Sequence, residues 1–342
     1  MIYFAGVPGG GWELSEKRLN KFWNFRLWSY YWILQDKKNM KRKNKKIELF
    51  LDSGAFSAKS QGVKIDVQDY ISFIKDNENV ISVYANLDVI GDAEGTLQNQ
   101  KIMEKAGLSP IPVYHYGEDE KYLLRYIDGY EYIALGGMVL GSSSRLRSWL
   151  DKKFPLTCDK DGMPKVKVHG FGLTSLRLML QYPWYSVDST SWVMTGRMGS
   201  IFIPNKRRGE WVYDEDSLKV PVSSRSPKLE GVGGKHLETM NRTPNIQALL
   251  LDYIGEKGYK LGKSKFIWVK QSHELQENER WVDKKPDDKG VKRELEVIEE
   301  DGISNRYQLR DEMNIIYFLD LEKSMPKWPW AFKQQGQKSA DL

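Results

Sequence analysis

The chain has 342 residues, enough for one large barrel domain or for two smaller domains, each with a sizeable core. Its single cysteine, Cys158, excludes an intramolecular disulfide and a cysteine-rich zinc site, so a metal would need histidine and carboxylate ligands. The chain carries 52 basic and 46 acidic residues, and the net charge of +6 favours a polyanionic partner, although a solvated basic surface explains it equally well. We recognise no signal peptide or membrane span, and we expect a cytoplasmic protein without a membrane partner.

Short β-rich runs alternate with helical stretches over the first two thirds of the chain, which is the pattern of successive βα units. Eight strands are predicted, at residues 2–6, 47–52, 80–88, 110–115, 132–136, 165–170, 185–188 and 200–204. Helical spacing and capping residues follow at 66–76, 94–106, 120–127, 144–153 and 175–181. The tryptophan-rich stretch 12–32 is interpreted as a helix packed on the barrel, with stacking of its tryptophans on bases as the alternative. The pattern predicts an α/β fold, a TIM-type (β/α)8 barrel rather than a doubly wound open sheet.

Composition divides the chain into three predicted parts. Residues 1–205 form the barrel core, and residues 206–243, rich in charge, glycine, serine and proline, form an insertion or flap after strand 8. Residues 244–342 supply two amphipathic helices, at 245–256 and 309–323, and a charged excursion at 270–305. The densest basic stretch is 37–46, which predicts a nucleic-acid contact, with a solvated loop as the alternative. Its candidate residues are Lys41, Arg42, Lys43, Lys45 and Lys46.

Polar residues gather where the predicted strands end, and in a TIM barrel those ends form the catalytic face. The candidates at these ends are Asp52, Asp88, His115, Gly136, Gly137, His169 and Asp188. Each type also has a structural explanation, because aspartates cap helices, buried histidines fill cores and paired glycines make tight turns. The glycine-rich run 6–11 lacks the spacing and the Lys-Ser/Thr ending of a phosphate loop, so we predict a flexible loop there.

Carboxylates that share one pocket suit chemistry at an anomeric carbon, because one can capture an oxocarbenium-like centre while another moves a proton. Carboxylates packed together also raise one another's pKa, so that one of them can carry a proton at neutral pH. The same residues would bind a divalent cation, and spacing alone does not separate these two interpretations.

The order of several short motifs resembles the tRNA-guanine transglycosylase superfamily, and most closely its phage and bacterial members that insert 7-deazapurines into DNA. The run DSGAF at 52–56 is similar to the superfamily's Asp-Ser-Gly-Gly-aromatic motif, and YIALGGMVLG at 132–141 is similar to its Gly-Gly segment. The run HGFGLT at 169–174 is similar to its Gly-Val-Gly-Thr turn. Asp188 is followed by Gly196-Arg197, Gly199 and Phe202 at the superfamily's spacing, and Glu312 and Asn314 also match.

The resemblance implies a role for each candidate residue. Asp188 would be the nucleophile that captures the sugar carbon and expels guanine, and Asp52 would be the general acid and base. Asp88, His115, Gly136 and Gly137 would contact the purine edge, with His115 standing where the superfamily has glutamine. Phe56 and His169 would stack on the two faces of the base, and Arg197 would bind the nucleic acid. Such a site reaches only a base extruded from its stack, and it implies no cofactor and no metal.

Two departures from the superfamily bear on the substrate. Residues 206–243 contain no cysteine, whereas the tRNA enzymes carry a zinc subdomain there, and Trp192-Val193-Met194 replace a basic Pro-Thr-Arg after the nucleophile. Because both changes affect tRNA docking, we predict that the partners are DNA and a free 7-deazaguanine base of the preQ0 or preQ1 type. A tRNA substrate, a non-catalytic nucleic-acid-binding barrel and a metal-dependent hydrolase are the alternatives, and a homodimer stays open.

Overall fold

The computed structural model describes residues 1–9, 11–20, 25–35, 47–138, 142–173, 175–213, 217–225, 244–270, 272–283 and 293–333. The chain forms two compact units. One, the sheet unit, comprises Met1–Gly6, Phe22–Thr190 and Met325–Leu342, and the other, the accessory unit, comprises Val7–Lys21 and Ser191–Ser324. Neither unit begins or ends at the predicted boundaries near residues 205 and 243.

The sheet unit is built on eight strands. They are β1 (Ile2–Ala5), β2 (Phe25–Ser29), β3 (Glu48–Asp52), β4 (Ile81–Tyr84), β5 (Val113–His115), β6 (Tyr132–Gly136), β7 (Lys167–Gly170) and β8 (Ser186–Ser189). Neighbours in the sheet run β4-β3-β2-β1-β8-β7-β6-β5, and each hydrogen-bonded pair is parallel. The predicted α/β class, with a curled parallel sheet flanked by helices, is therefore confirmed.

A single further bridge involves the two end strands of this order. Ala85, just after β4, forms an isolated parallel bridge with Ile111, two residues before β5. The amide of Ile111 donates to the carbonyl of Tyr84 at 2.9 Å, and the amide of Asn86 donates to the carbonyl of Ile111 at 3.0 Å.

Helices between residues 30 and 181 connect the strands of the sheet unit, and the other helices belong to the accessory unit. In chain order the helices are α1 (Gly11–Leu19), α2 (Tyr30–Gln35), α3 (Ala55–Ser60), α4 (Val67–Asp76), α5 (Ala93–Lys105), α6 (Glu120–Gly129), α7 (Ser143–Lys153), α8 (Leu176–Gln181), α9 (Ser191–Arg197), α10 (Pro244–Glu256) and α11 (Tyr307–Ser324). Side chains cap several of them, as Asp66 does for α4 by accepting from the amides of Gln68 and Asp69. These caps satisfy free amides at the first turn. The helix starts predicted from the sequence agree with the structure to within one residue for α4 to α8.

Apolar side chains on the two faces of the parallel sheet form two separate clusters. Phe50 of β3 packs with Tyr3 of β1 and Leu27 of β2, together with Ala85 and Val113. Its chain neighbours Leu49 and Leu51 pack in a second cluster that contains Tyr70, Ile71 and Ile74 of α4. Successive strand residues point to opposite faces, so the sheet is covered on both sides, as a parallel sheet requires.

The accessory unit consists of small antiparallel sheets and helices. Its strands are β9 (Ser200–Ile203), β10 (Asn205–Arg207), β11 (Glu210–Val212), β12 (Leu218–Pro221), β13 (Lys263–Ile267), β14 (Glu279–Asp283) and β15 (Arg293–Glu300). They pair as β10-β11, β12-β9 and β13-β15-β14. Ile201, Leu250, Ile303, Met313 and Ile316 are buried in its core, so α10 and α11 pack on the sheet of β9 and β12. Within the described ranges, no helix of either unit is long and apolar enough to cross a membrane.

One strand assignment made from the sequence is wrong. Residues 200–204 were predicted as the eighth barrel strand, but β9 lies in the accessory unit and pairs antiparallel with β12. The missing sheet strand is β2, inside the stretch interpreted as a tryptophan-rich helix, where Arg26 interrupts the apolar run FRLWS. Asp188 therefore lies on the eighth strand of the sheet, in register with Tyr3 of β1.

Candidate active site

Three predicted carboxylates meet at one site in the sheet unit. Asp52 is the last residue of β3, Asp88 follows β4, and Asp188 lies on β8. Burial, followed by the charges of Asp88 and Asp188, raises the pKa of Asp52 to about 8, and backbone amides such as that of Gly54, 3.2 Å from Oδ2, offset this only in part. Asp52 is therefore largely protonated at neutral pH, which is the state that a general acid needs.

Asp188 is held by the turn that follows β7. Its side chain is buried, with 6% of the residue exposed, and the amide of Gly172 donates to Oδ1 at 2.8 Å. Nε2 of His169 lies 3.4 Å from the same oxygen. Among the residues that the structure describes, these contacts engage Oδ1 and leave Oδ2 without a donor. One carboxylate oxygen is thus fixed while the other is the candidate attacking atom.

His169 is fully buried in the sheet unit. The rings of Phe50 and Phe171 each lie with centroids 4.5 Å from its imidazole, and Nδ1 lies 2.7 Å from the Ser186 hydroxyl. Burial lowers the pKa of His169, so the ring is neutral at neutral pH. The ring has no exposed face in this structure, so stacking of His169 on a base stays a prediction that this burial does not support. Its position suits holding Asp188 in place.

His115 lies between two carboxylates. Nε2 is 2.9 Å from Asp88 Oδ2, Nδ1 is 3.2 Å from Glu118 Oε1, and the His115 amide donates to Glu118 Oε2 at 2.9 Å. Burial favours the neutral ring, but hydrogen bonds to Asp88 and Glu118 outweigh it and raise the pKa of His115 to about 10. The imidazole is therefore a cation at neutral pH.

The same contacts keep Asp88 ionised. Burial acts to raise the pKa of Asp88, but the hydrogen bonds from His115 and from the Ser53 hydroxyl, 2.6 Å from Oδ1, outweigh it and lower the pKa below its ordinary value. Asp52 and Asp88 thus occupy one site with opposite protonation states. Environments that separate the pKa values of two neighbouring acids are typical of sites that assign them different tasks.

The paired glycines have clear structural reasons. A Cβ on Gly136 would lie 2.9 Å from Cδ2 of His115, so the imidazole packs directly on this backbone. The Gly136 carbonyl accepts from the amide of Tyr116 at 3.0 Å, and Gly137 has φ +74°, a left-handed conformation that favours glycine. Contact of Gly136 and Gly137 with a base stays a prediction. The same holds for stacking by Phe56, which lies on α3 and is 49% exposed.

Of the predicted nucleic-acid contacts, only Arg197 lies in the part of the chain that the structure describes. Arg197 ends α9 in the accessory unit, where Nη2 donates to the carbonyl of Val7 at 3.2 Å. Five further predicted contacts lie outside the described residues. They are Lys41, Arg42, Lys43, Lys45 and Lys46.

Sequence reasoning missed Glu118, and it assigned no role to Ser53 or Gly172 although both lie in motifs that it identified. Glu118 follows His115 by three residues, and that spacing was the only available signal, since nothing local distinguishes it from a surface glutamate beside a helix start. In the described part of the chain, no three histidine, cysteine or acidic side chains are arranged to hold a metal ion.

Comparison with family models, curated proteins and solved structures finds no match for this chain. The functional argument therefore depends on the site itself.

Proposed function

We propose that the chain is a base-exchange transglycosylase that replaces guanine in DNA with a 7-deazaguanine of the preQ0 or preQ1 type. The observation that carries this proposal is the pairing of a protonated acid with a fixed carboxylate at one site. Asp52, whose pKa is raised to about 8, supplies a proton, and Asp188, held by the Gly172 amide, supplies the nucleophile.

The first half of the reaction removes guanine. An oxygen of the Asp188 carboxylate forms a bond to C1′ of the sugar as the bond from C1′ to N9 breaks, and the bonding electron pair leaves on the base. The proton of Asp52 moves to the departing guanine. This leaves a glycosyl ester on Asp188 and an ionised Asp52. In the transition state of this step, C1′ carries oxocarbenium character.

The second half inserts the new base. The incoming 7-deazaguanine gives its N9 proton to Asp52, N9 forms the bond to C1′, and the Asp188 carboxylate leaves. Asp52 is then protonated again and Asp188 is ionised, so the site returns to its starting state. The oxidation level does not change, and the cycle needs no co-reactant besides the base.

Base recognition is assigned to the charged pair beside the acids. Guanine and its 7-deaza analogues present N1–H and the exocyclic amine as donors, and an ionised Asp88 is an acceptor for such groups. His115 and Ser53 hold Asp88 in that state and orientation. Phe56, half exposed at the start of α3, would cover one face of the extruded base.

A closed (β/α)8 barrel belongs to the same proposal. The bridge between Ala85 and Ile111 supports closure, because these residues flank β4 and β5, the two end strands of the order. The single apolar cluster that joins Ala85 and Val113 with Tyr3 also supports it. Closure would place the carboxyl ends of β3, β4 and β8 around one mouth.

A direct test uses the purified protein, an isotopically labelled preQ0 base, and either DNA or tRNA. The wild-type protein is expected to incorporate label into DNA, and Asp188→Asn is expected to abolish incorporation. Asp76→Asn makes the same change at an exposed aspartate on α4 and should retain wild-type activity.

Three outcomes separate the alternatives. Incorporation that survives Asp188→Asn, or no incorporation by the wild-type protein into either nucleic acid, overturns the proposal. Label found in tRNA alone keeps the chemistry and replaces the substrate with tRNA.

A further inference from the structure

The accessory unit contains an open cavity of about 480 Å³ whose wall carries three arginines. Arg197, Arg225 and Arg310 line it together with Tyr307 and the loop at residues 7–9. Three guanidinium groups on one cavity wall repel one another, so the arrangement favours an anionic occupant.

Arg310 is the buried member of the group, with only 3% of its surface exposed. Nε donates to the carbonyl of Gly196 at 2.7 Å, and Nη1 donates to the carbonyls of Ile303 at 2.7 Å and Ser304 at 3.4 Å. Burial lowers the pKa of Arg310 to about 10, which leaves it charged at neutral pH. Carbonyl dipoles orient this cation, and in the described ranges no carboxylate lies within ion-pair distance of it. A buried charge of this kind is stabilised by an anion that reaches it.

The other two arginines also retain positive charge toward the cavity. Arg197 donates from Nη2 to the carbonyl of Val7 and makes no ion pair with the described residues. Arg225 lies 3.8 Å from Glu296, but Glu296 is already bound by Arg280 at 2.8 Å.

One further carboxylate belongs to the same neighbourhood. Asp311 accepts from the amide of Gly9 at 2.9 Å, and burial raises its pKa to about 6. It is therefore largely ionised at neutral pH and offsets part of the charge. Among the described residues, the three cavity arginines and Arg280 outnumber the two acids beside them, Asp311 and Glu296. Positive charge remains in excess.

The cavity wall also excludes side-chain bulk at one point. A Cβ on Gly9 would lie 2.3 Å from the Tyr307 ring, so a side chain at this position would force that ring to shift. The cavity is therefore lined by guanidinium groups, the ring of Tyr307 and the backbone of Gly9. A guanidinium group can donate two parallel hydrogen bonds to two oxygens of one phosphate.

We infer that this cavity binds a phosphodiester group of the DNA backbone. The identification of the polymer as DNA rests on the proposed function, whereas the preference for a phosphate group rests on the arginines alone. The cavity opens to solvent, as a site for one phosphate within a long strand requires.

The test measures binding of a fluorescently labelled single-stranded DNA oligonucleotide by anisotropy across a series of salt concentrations. Arg197→Gln and Arg225→Gln are each expected to weaken binding by about tenfold. Each is also expected to make the negative slope of log affinity against log salt less steep by about 0.7, the value for one phosphate contact on a single strand. Lys219→Gln removes an exposed charge from β12 of the same unit and serves as the matched control with little change.

Unchanged affinity and slope in both arginine variants would overturn the inference. A second arm measures thermal stability with inorganic phosphate. If phosphate stabilises the wild-type protein but not Arg225→Gln, while DNA affinity is the same in both, the cavity is a site for a small anion and the DNA assignment is wrong. Neither readout requires base exchange, so failure of the proposed chemistry would be distinguishable from failure of this site.

Discussion

At the residue scale, the site is defined by two neighbouring acids with opposite protonation states. Asp52 gains a proton because burial and the charges of Asp88 and Asp188 disfavour its ionised form. Asp88 stays ionised because His115 and Ser53 bind its two oxygens. Two partly buried carboxylates of the same type thus differ through their hydrogen-bond partners and neighbouring charges, which is how one fold obtains both an acid and an acceptor at neutral pH.

The pH profile of base exchange follows from Asp52. Because this residue must be protonated to assist guanine departure, kcat/KM is expected to fall as pH rises through about 8. Asp52→Asn should lower the rate by about 100-fold or more and remove that limb of the profile. Initial rates between about pH 6 and pH 10 check this, and a rate that increases through pH 8 would contradict the assignment of Asp52 as the acid.

The same raised pKa affects stability, with a definite sign. Between the ordinary pKa of an aspartate and about 8, folded Asp52 binds a proton that the unfolded chain has lost, so its contribution to the free energy of unfolding falls as pH rises. Asp52→Asn keeps the shape without the charge, and we expect it to stabilise the protein by on the order of 1–2 kcal/mol at pH 8 and by less at pH 5. Urea unfolding at both pH values measures the difference. An equal effect of the substitution at the two pH values would count against a buried, protonated Asp52.

The charge on His115 is directly observable. The chain has four histidines, and the His115 ring is expected to stay protonated beyond pH 8 in an NMR titration, because Asp88 and Glu118 raise its pKa to about 10. Glu118→Gln should lower that pKa and weaken binding of the free base more than it lowers kcat, whereas Glu94→Gln in the first turn of α5 should change neither. A His115 that titrates near the ordinary histidine pKa in the wild-type protein would remove the basis for this role.

At the element scale, local signals predicted some features well and others poorly. Helices α4 to α8 follow from capping residues and apolar spacing, both of which act within one or two turns. The sequence analysis placed β9 in the barrel and missed β2. Local residues could not prevent this error, because FRLWS in β2 and SIFI in β9 both fit the pattern of a strand. Which strand pairs with β1 depends on partners distant in sequence, and local residues do not encode that.

The strand-end motifs predicted much of the candidate site. Asp52, Asp88, His115 and Asp188 lie at or just after the carboxyl ends of parallel strands of one sheet, so topology brings them to the same edge. The burial of His169 and the contacts of Glu118 depend on packing between elements, and the sequence alone did not reveal them.

The close approach of β6 to His115 gives an element-scale prediction. Gly136→Ala would place a methyl group 2.9 Å from the His115 ring, and we expect a loss of about 1–3 kcal/mol in stability together with reduced base exchange. Gly129→Ala, in α6 with no atom near the added methyl group, should be neutral or slightly stabilising. Urea unfolding of the two variants provides the comparison. Equal stability of both variants would show that the packing of His115 on β6 is looser than described.

At the scale of the whole molecule, the two compact units carry different chemistry. The sheet unit contains the three aspartates and the charged pair of His115 and Asp88. The accessory unit contains the arginine cavity. The net charge of +6 indicated a polyanionic partner but could not locate its site, because arginines as far apart in sequence as Arg197 and Arg310 come together only on folding.

The central claim is that Asp188 forms a covalent bond to the sugar. The most direct measurement mixes the protein with a guanine-containing oligonucleotide, quenches the reaction with denaturant and analyses the tryptic peptide of residues 178–197 by mass spectrometry. The account predicts a nucleic-acid adduct on Asp188 that is absent in Asp188→Asn and disappears when 7-deazaguanine is added before the quench. Base exchange that proceeds in Asp188→Asn, with no adduct on this peptide in the wild-type protein, would contradict it.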